Sequence, residues 1–283
     1  MEVKALAKLN LSLDVLGTRP DGYHDMKMVM QSITLSDDIT VTDNGGQGIR
    51  VNSNLGFLPT NEKNLAVAAT LRFYESLGKE PRSVDLSLEK SIPVCAGMAG
   101  GSSDAAAVLR ALNEMEGRPY DLMELARVGE KVGSDVPYCV LGTTALAEGR
   151  GEVLTNLPAL PHCWVVVCKP DFPVSTPELF GRIDRCKVRC RPDTDGMIRA
   201  LEQGDLEGVA RRMYNVFEDV LPERQRSRVR DIKNVLIQCG ALGANMSGTG
   251  PTAFGLFDDE AAAREAYDQL KEQYRETYLA ETV

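Results

Sequence analysis

The first 15 residues of the chain alternate between apolar and polar side chains with a period of two. The apolar side chains that share one face are Val3, Ala5, Ala7, Leu9, Leu11, Leu13 and Val15. The polar side chains that share the other face are Lys4, Lys8, Asn10, Ser12 and Asp14. This period is typical of a β-strand, and a strand this long needs a sheet whose apolar face is covered. The pattern therefore predicts a sheet-containing fold, with Lys8 and Asn10 projecting from the same side of the first strand.

The rest of the chain mixes helical and extended patterns. Helices are predicted over 64–77, 102–115, 176–183, 227–238 and 258–274, with one or two more within 195–221. Asp121 with Glu124 predicts a capping box that opens a further helix. Strands are predicted over 28–42, 84–89 and 163–168, with an extended run over 138–149 and a hairpin around the GTGP turn at 248–251. A composition change near 157–162 suggests two domains in an α+β fold.

Composition excludes several classes of protein. With 32 Lys and Arg against 41 Asp and Glu and no basic run, the chain is not expected to bind nucleic acid. Apolar stretches such as 163–168 are too short to span a bilayer, and the N-terminal alternation does not resemble a signal peptide. Seven scattered cysteines without a CxxC motif favour a reduced, cytoplasmic protein. Cys186 and Cys190 have no second Cys or His pair that would complete a metal site. The sequence leaves the metal ligands and the oligomeric state open.

The strongest functional signal is the small-residue segment PVCAGMAGGSSDAA over 93–106. Its glycines and alanines allow a ligand to approach the backbone, and Ser102 and Ser103 open a predicted helix whose N-terminus attracts anions. The segment lacks the Gly-Lys-Ser/Thr ending of a Walker P-loop. It favours a site for a di- or triphosphate, with a plain turn before a tightly packed helix as the alternative.

Three weaker motifs accompany this segment. Lys8 with Asn10 is one, although a lone lysine on a strand is usually solvated. Asp135, just before Pro137, is either a general base or a turn or capping residue. A late loop contains Gly248-x-Gly250-x-x-Ala253, which matches the dinucleotide fingerprint by letter only, because a β-rich run rather than a helix follows it. A glycine loop that closes a hairpin over a ligand fits this context better than a dinucleotide site.

In chain order, these four motifs resemble those of the GHMP kinases, a family of small-molecule kinases. The matching motifs are Lys-x-Asn on the first strand, Pro-x(3)-Gly-x(2)-Gly-Gly-Ser-Ser, Asp-Val-Pro and Ser-Gly-x-Gly-Pro-Thr. The strings RPDGYH at 19–24, GSDVP at 133–137, AEGRGE at 147–152 and STP at 175–177 narrow the resemblance to the branch with a cytidylyl substrate. The resemblance extends from about Val3 to Phe257.

The resemblance implies a two-domain GHMP kinase fold. Residues 1–158 would form a domain like ribosomal protein S5 domain 2, and residues 159–283 a ferredoxin-like domain. It implies a kinase that uses ATP and Mg²⁺ to phosphorylate the 2-hydroxyl of diphosphocytidyl methylerythritol, a small-molecule substrate of non-mevalonate isoprenoid synthesis. The alternatives are another GHMP kinase acting on a different alcohol, and a phosphate-binding or regulatory protein that kept the fold. The presence of both Lys8 and Asp135 disfavours the second alternative.

The resemblance also implies roles for individual residues. Asp135 would be the general base, and Lys8 would neutralise Asp135 and the moving phosphoryl group. ATP would be bound by Asn64, Pro93, Val94, Cys95, Ala96, Gly97, Met98, Ala99, Gly100, Gly101, Ser102 and Ser103. The acceptor would be bound by Asn10, Tyr23, His24, Thr176, Phe180 and Gly248, with Tyr23 and Phe180 stacked on the cytosine. Asn64 suits a helix N-cap equally well, and Asp104 stands where the family commonly has Asn, which leaves a role near Mg²⁺ open.

Overall fold

The structure, a computed structural model, describes residues 1–188 and 190–283. The chain divides into two compact units, each built from three separate segments. Unit 1 consists of Met1–Ala7, Ser36–Val94 and Ala99–Gly142, and unit 2 consists of Lys8–Leu35, Cys95–Met98 and Thr143–Val283. Unit 2 thus takes residues from both sides of position 158, and the predicted domain boundary there stays a prediction.

The regular elements follow the predicted mixture of strands and helices. The strands are β1 (Glu2–Thr18), β2 (His24–Asp43), β3 (Arg50–Ser53), β4 (Val84–Glu89), β5 (Thr144–Gly149), β6 (Val153–Asn156), β7 (Trp164–Lys169), β8 (Tyr214–Asn215), β9 (Gly243–Met246), β10 (Ala253–Phe257) and β11 (Glu276–Glu281). The helices are α1 (Leu65–Ser76), α2 (Gly100–Met115), α3 (Leu122–Glu130), α4 (Val136–Leu141), α5 (Thr176–Ile183), α6 (Thr194–Glu202), α7 (Leu206–Ala210), α8 (Phe217–Val220), α9 (Glu223–Gln238) and α10 (Glu260–Lys271). No helix among the described residues is long and apolar enough to cross a membrane.

Unit 1 packs the helices α1 to α4 against a small sheet. Residues 38–43 of β2 pair antiparallel with β4, and β4 pairs parallel with β3. The core of this unit is apolar and includes Phe73, Leu86 and Leu109, none of which is exposed. The predicted capping box opens α3, because Asp121 accepts the Glu124 N–H and the Glu124 side chain accepts the Asp121 N–H.

Unit 2 contains a four-stranded antiparallel sheet in the order β11-β7-β10-β9. With α10 between β10 and β11 and further helices between β7 and β9, this is the β-α-β-β-α-β arrangement of a ferredoxin-like fold, as predicted. The predicted hairpin is the antiparallel pair β9 and β10. In the same unit, Ser12 and Leu13 of β1 lie opposite Tyr214 and Asn215 of the parallel strand β8.

The predicted extended run over 138–149 is wrong in its first half. Residues 136–141 form α4, and the strand begins only at Thr144. Pro137 lies in the first turn of this helix, where backbone N–H groups have no intrahelical acceptor. The missing N–H of proline therefore removes no helix hydrogen bond. Gly142, with a φ of 72°, ends the helix. The short apolar sequence VPYCVL is compatible with either structure, so its period alone did not decide between them.

The alternative in which Lys8 is a solvated lysine on the first strand is also wrong. From Ala7 to Val15 both faces of β1 are buried, and Lys8 is only 4% exposed. Burial of polar side chains requires partners. The Lys8 ammonium donates to Asn10 Oδ1 at 2.7 Å, and Asp14 accepts from the Arg191 guanidinium at 2.6 Å. The polar face of this strand is therefore a buried polar row within unit 2.

Candidate active site

The small-residue segment leads into α2 through a left-handed backbone. The helix begins at Gly100, two residues before the predicted start, and its N-cap Ala99 has a φ of 58°. Cys95 and Gly97 are also left-handed, with φ values of 54° and 73°. Left-handed residues in a turn before a helix direct backbone N–H groups into a concavity that suits anions. Because Ala99 makes no side-chain cap, the first N–H groups of α2 are not satisfied by their N-cap.

Ser247 joins three of the predicted motifs within unit 2. Its hydroxyl donates to the Gly97 carbonyl at 2.9 Å and accepts the Asn10 N–H at 3.2 Å. The Lys8 N–H also donates to the Met98 carbonyl at 3.2 Å. A Cβ added at Gly97 would lie 2.2 Å from the Ser247 carbonyl oxygen. The strand motif, the middle of the phosphate segment and the late loop therefore meet around one serine.

The late loop is held by two buried asparagines. The Asn215 amide donates to the Met246 and Gly248 carbonyls at 2.7 Å each, and the Asn245 amide donates to the Leu11 carbonyl at 3.0 Å. Gly248 has a φ of 57°, as a turn of this kind requires. The sequence interpretation missed Asn215. Its one signal is an isolated Asn within the apolar string MYNVF at 213–217.

The ring of Phe180 stacks on that of His24 in unit 2. Their centroids are 4.5 Å apart and the planes are inclined by 27°. His24 Nε2 lies 2.8 Å from Asp184 Oδ1, and this hydrogen bond holds the pKa of Asp184 below its usual value. The cluster brings an aromatic ring next to a histidine–carboxylate pair. This combination suits a flat ring that carries hydrogen-bonding groups on its edge.

Tyr23, which was predicted to pair with Phe180 around a base, does not contact it in this structure. Tyr23 is 55% exposed, and its ring lies beneath the Arg150 guanidinium at 5.0 Å. Thr176 is brought to the late loop, because its Oγ1 lies 2.9 Å from Thr249 Oγ1. The binding roles of Tyr23 and Thr176 stay predictions.

Asp135 and Asn64, both in unit 1, differ in how their side chains are used. Asp135 lies in the turn before α4 and makes no side-chain cap, so of the turn and capping alternatives only the turn is confirmed. Asn64 is the N-cap of α1, because its Oδ1 accepts the Ala66 N–H at 3.0 Å and its Nδ2 donates to the Pro59 carbonyl at 2.8 Å. The N-cap alternative for Asn64 is therefore confirmed, and its contact with adenine stays a prediction.

The two serines at the start of α2 are not equivalent. The Ser103 hydroxyl is buried and donates to the Leu6 carbonyl at 2.6 Å, so it fastens the helix to β1 within unit 1. Ser102 is only half-buried. A ligand at this end of α2 therefore has the Ser102 side chain and the backbone within reach, rather than the Ser103 hydroxyl.

Two family models match the chain. The GHMP kinases N terminal domain matches residues 64–143, and the GHMP kinases C terminal model matches residues 197–276. These residues include α2, Asp135 and the late loop.

Curated relatives match the chain over its whole length. A 4-diphosphocytidyl-2-C-methyl-D-erythritol kinase of Alkaliphilus metalliredigens is 43% identical over 100% of this chain and 96% of that relative. One of Clostridium tetani is 42% identical over the full length of both chains.

Solved structures confirm the fold. A crystal structure of 4-(cytidine 5'-diphospho)-2C-methyl-D-erythritol kinase has a TM-score of 0.82 and 32% identity, and the match covers 100% of this chain and 99% of that one. Mevalonate kinase of L. major, in complex with R-mevalonate, shares only the fold, with a TM-score of 0.74 at 18% identity over 100% and 95% of the two chains. From its motifs, its two matched domains and these full-length relatives, the chain belongs to the GHMP kinase family, in the group of 4-diphosphocytidyl-2-C-methyl-D-erythritol kinases.

Proposed function

We propose that this kinase transfers the γ-phosphoryl group of ATP to the 2-hydroxyl of 4-diphosphocytidyl-2-C-methyl-D-erythritol, in non-mevalonate isoprenoid synthesis. The observation that carries the proposal is the likeness, at 42% to 45% identity over 96% to 100% of this chain, to relatives that bear this kinase name. The stacked His24 and Phe180 rings support it, because proteins read a base by aromatic stacking and by hydrogen bonds to its edge. Free thiols at all seven cysteines suit the reducing cytoplasm as its compartment.

The triphosphate is assigned to the segment over 93–103 and the start of α2. The N-terminus of a helix carries about half a positive charge, and its N–H groups need acceptors. No group of three or more His, Cys, Asp or Glu side chains among the described residues is arranged to hold a metal ion. We propose that Mg²⁺ arrives as the Mg–ATP complex, since this ion commonly keeps phosphate and water oxygens as its ligands.

The catalytic roles are assigned from the motif order and the chemistry of each side chain. Phosphoryl transfer requires positioning and charge stabilisation more than covalent chemistry. Asp135 takes the proton of the acceptor hydroxyl, and Lys8 stabilises the charge of the transferring group. Asn10 accepts from the Lys8 ammonium at 2.7 Å, which fixes the cation in one position. Asn10 thereby helps to orient the Lys8 ammonium toward the acceptor substrate.

The proposed reaction is tested with purified protein, Mg–ATP and a panel of alcohols. The panel contains the cytidylyl substrate, mevalonate and homoserine, and ADP release is measured for each. We expect turnover with the cytidylyl substrate at a kcat/KM far above that of the others. Preferred turnover of another alcohol would favour the alternative, a GHMP kinase with a different acceptor.

Replacing Phe180 with alanine is expected to weaken binding of the acceptor. Stacking on an aromatic ring contributes about 1–3 kcal/mol per base, so KM for the cytidylyl substrate should rise roughly 5- to 150-fold. KM for ATP should stay nearly constant, as steady-state kinetics with each substrate varied in turn will report. Phe57, which is 71% exposed, offers a control in which an aromatic ring is lost elsewhere. A rise in KM for ATP alone would contradict the assignment of this pocket.

Replacing Gly101 with valine is expected to block ATP without damaging the fold. A Cβ at Gly101 would meet only Leu65 Cδ1, at 3.6 Å, which is an ordinary contact. The branched side chain would instead occupy the space that a phosphate needs beside the helix start. KM for ATP should rise about tenfold or more, which corresponds to at least ~1.4 kcal/mol, at an unchanged melting temperature. Gly101→Ala is the graded control, and calorimetry showing undiminished nucleotide binding by the folded valine variant would contradict the placement.

A further inference from the structure

Three charged side chains that the proposed reaction does not use meet inside unit 1. Asp37, Lys90 and Asp104 have side chains that are 0%, 4% and 5% exposed. The Lys90 ammonium lies 2.5 Å from Asp104 Oδ2 and also donates to Asp37 Oδ2. We call these three residues the buried charge cluster. With both carboxylates ionised, the cluster has one more negative charge than positive.

The cluster holds the chain where it enters the phosphate segment. Asp37 Oδ1 accepts the N–H groups of Ser91 and Ile92 at 2.6 and 2.7 Å. The Asn54 side chain accepts the Lys90 N–H at 2.9 Å and donates to the Lys90 carbonyl at 3.0 Å. The residues between β4 and Pro93 are thus fixed by side chains.

The same cluster contacts the chain where it leaves the phosphate segment. Asp104 lies in α2, four residues after Gly100. A Cβ at Gly100 would lie 3.5 Å from the Lys90 ammonium nitrogen, so the ammonium lies directly against the helix start. Lys90 therefore connects the entry of the phosphate segment with its exit, and Asp104 is its partner on the helix.

One atom of the cluster has no partner. Asp104 Oδ1 is buried and has no hydrogen bond among the described residues. Burial raises the pKa of Asp104 to about 7; Lys90 opposes the rise and Asp37 adds to it. The charged groups that face Asp104 are Lys90, which follows β4, and Asp37 of β2, and the first turn of α2 contributes no acidic side chain. A protonated Asp104 leaves the cluster neutral.

We infer that Asp104 is a positioning residue for ATP. It holds Lys90 between the two ends of the phosphate segment, and the uncharged form of Asp104 favours binding of the triphosphate. The inference rests on the proposed ATP site at the start of α2. An ionised Asp104 would put a negative charge about one turn from the N–H groups assigned to the phosphates. The neutral form removes this repulsion, so binding of ATP is linked to uptake of a proton by Asp104.

The test compares the wild type with Asp104→Asn, which keeps an acceptor for Lys90 but cannot ionise. Binding of a non-hydrolysable ATP analogue with Mg²⁺ is measured by calorimetry between pH 6 and 8.5. Titration of the nucleotide itself affects both proteins equally and cancels in the ratio of their Kd values. As the pH rises past 7, we expect the wild-type Kd to become about 3- to 30-fold higher than that of the variant. This is the size of effect expected when one partly screened negative charge repels the phosphates.

Two further readouts separate this role from a structural one. Calorimetry in two buffers of different ionisation enthalpy should show proton uptake near pH 7.5 that is smaller in Asp104→Asn. Asp104→Ala, which loses the contact with Lys90, should bind the analogue more weakly than the wild type at every pH. Asp104→Asn keeps that contact and should restore the binding that Asp104→Ala loses.

Parallel pH profiles, or equal proton uptake, in wild type and Asp104→Asn would overturn the inference. If Gly101→Val bound the nucleotide as tightly as the wild type, that result would instead count against the ATP site itself. The two failures are therefore distinguishable.

Discussion

Asp135→Asn is expected to lower kcat by about 10²- to 10⁴-fold, the contribution typical of a general base. Asparagine keeps the shape of the side chain but cannot take the proton of the acceptor hydroxyl. The Asp135 carboxylate does not cap α4, so the substitution removes no helix cap. Since asparagine keeps the size of the side chain and one of its acceptor oxygens, the melting temperature and KM for ATP should stay close to those of the wild type. Steady-state kinetics on protein of verified melting temperature measures the effect.

Asp121→Asn is the matched control for this experiment. Asp121 is also an aspartate at the start of a helix in unit 1, but its side chain is used in the capping box of α3. Asparagine caps helices about as well as aspartate, so this variant should keep both its stability and its kcat. A kcat for Asp135→Asn that is as high as that of Asp121→Asn would remove Asp135 from the role of base.

Gly97→Ala is expected to disrupt the phosphate segment. At a φ of 73° an L-residue costs about 1–2 kcal/mol, and the added Cβ would lie 2.2 Å from the Ser247 carbonyl oxygen. Overpacking against backbone costs roughly a further 1–3 kcal/mol, so the total is about 2–5 kcal/mol. The loss should appear as a lower melting temperature, or as a kcat/KM for ATP that is roughly 30- to several-thousand-fold lower if the segment detaches while the units stay folded.

Gly204→Ala separates the cost of backbone strain from the cost of the steric clash. Gly204 has a φ of 65° but nothing within 4 Å of an added Cβ, so it bears the backbone strain without the clash. This variant should lose only about 1–2 kcal/mol of unfolding free energy and keep its kcat/KM for ATP. Equal behaviour of the two variants would mean that the close approach of Gly97 to Ser247 is not required.

Local patterns predicted most elements of the fold, because period and capping act between neighbours in the sequence. The alternation along β1 and the Asp121–Glu124 box both predict structures that are present. The failure at α4 has the same origin, since six residues are too few for a period to separate helix from strand.

The partners of the site residues could not be predicted in this way. Lys8 is buried beside Asn10, and Asp14 on the same strand pairs with Arg191, which lies 177 residues further along the chain. Asp37 and Lys90 are separated by 53 residues. A motif gives the residue types of a site, whereas their burial and pairing arise from long-range packing that no local period encodes.

The order in which residues contribute to the two units has a consequence for synthesis on the ribosome. All of unit 1 has been made once Gly142 is added, whereas unit 2 joins Lys8–Leu35 to segments that end at Val283. Ser12 of β1 pairs with Tyr214 of β8, and at about 5–20 residues per second roughly 10–40 s separate the two in translation. During that interval the edge of β1 at Ser12 and Leu13 lacks its partner strand β8. The edge of the first strand is therefore completed only by residues made much later, and unpaired strand edges favour aggregation until then.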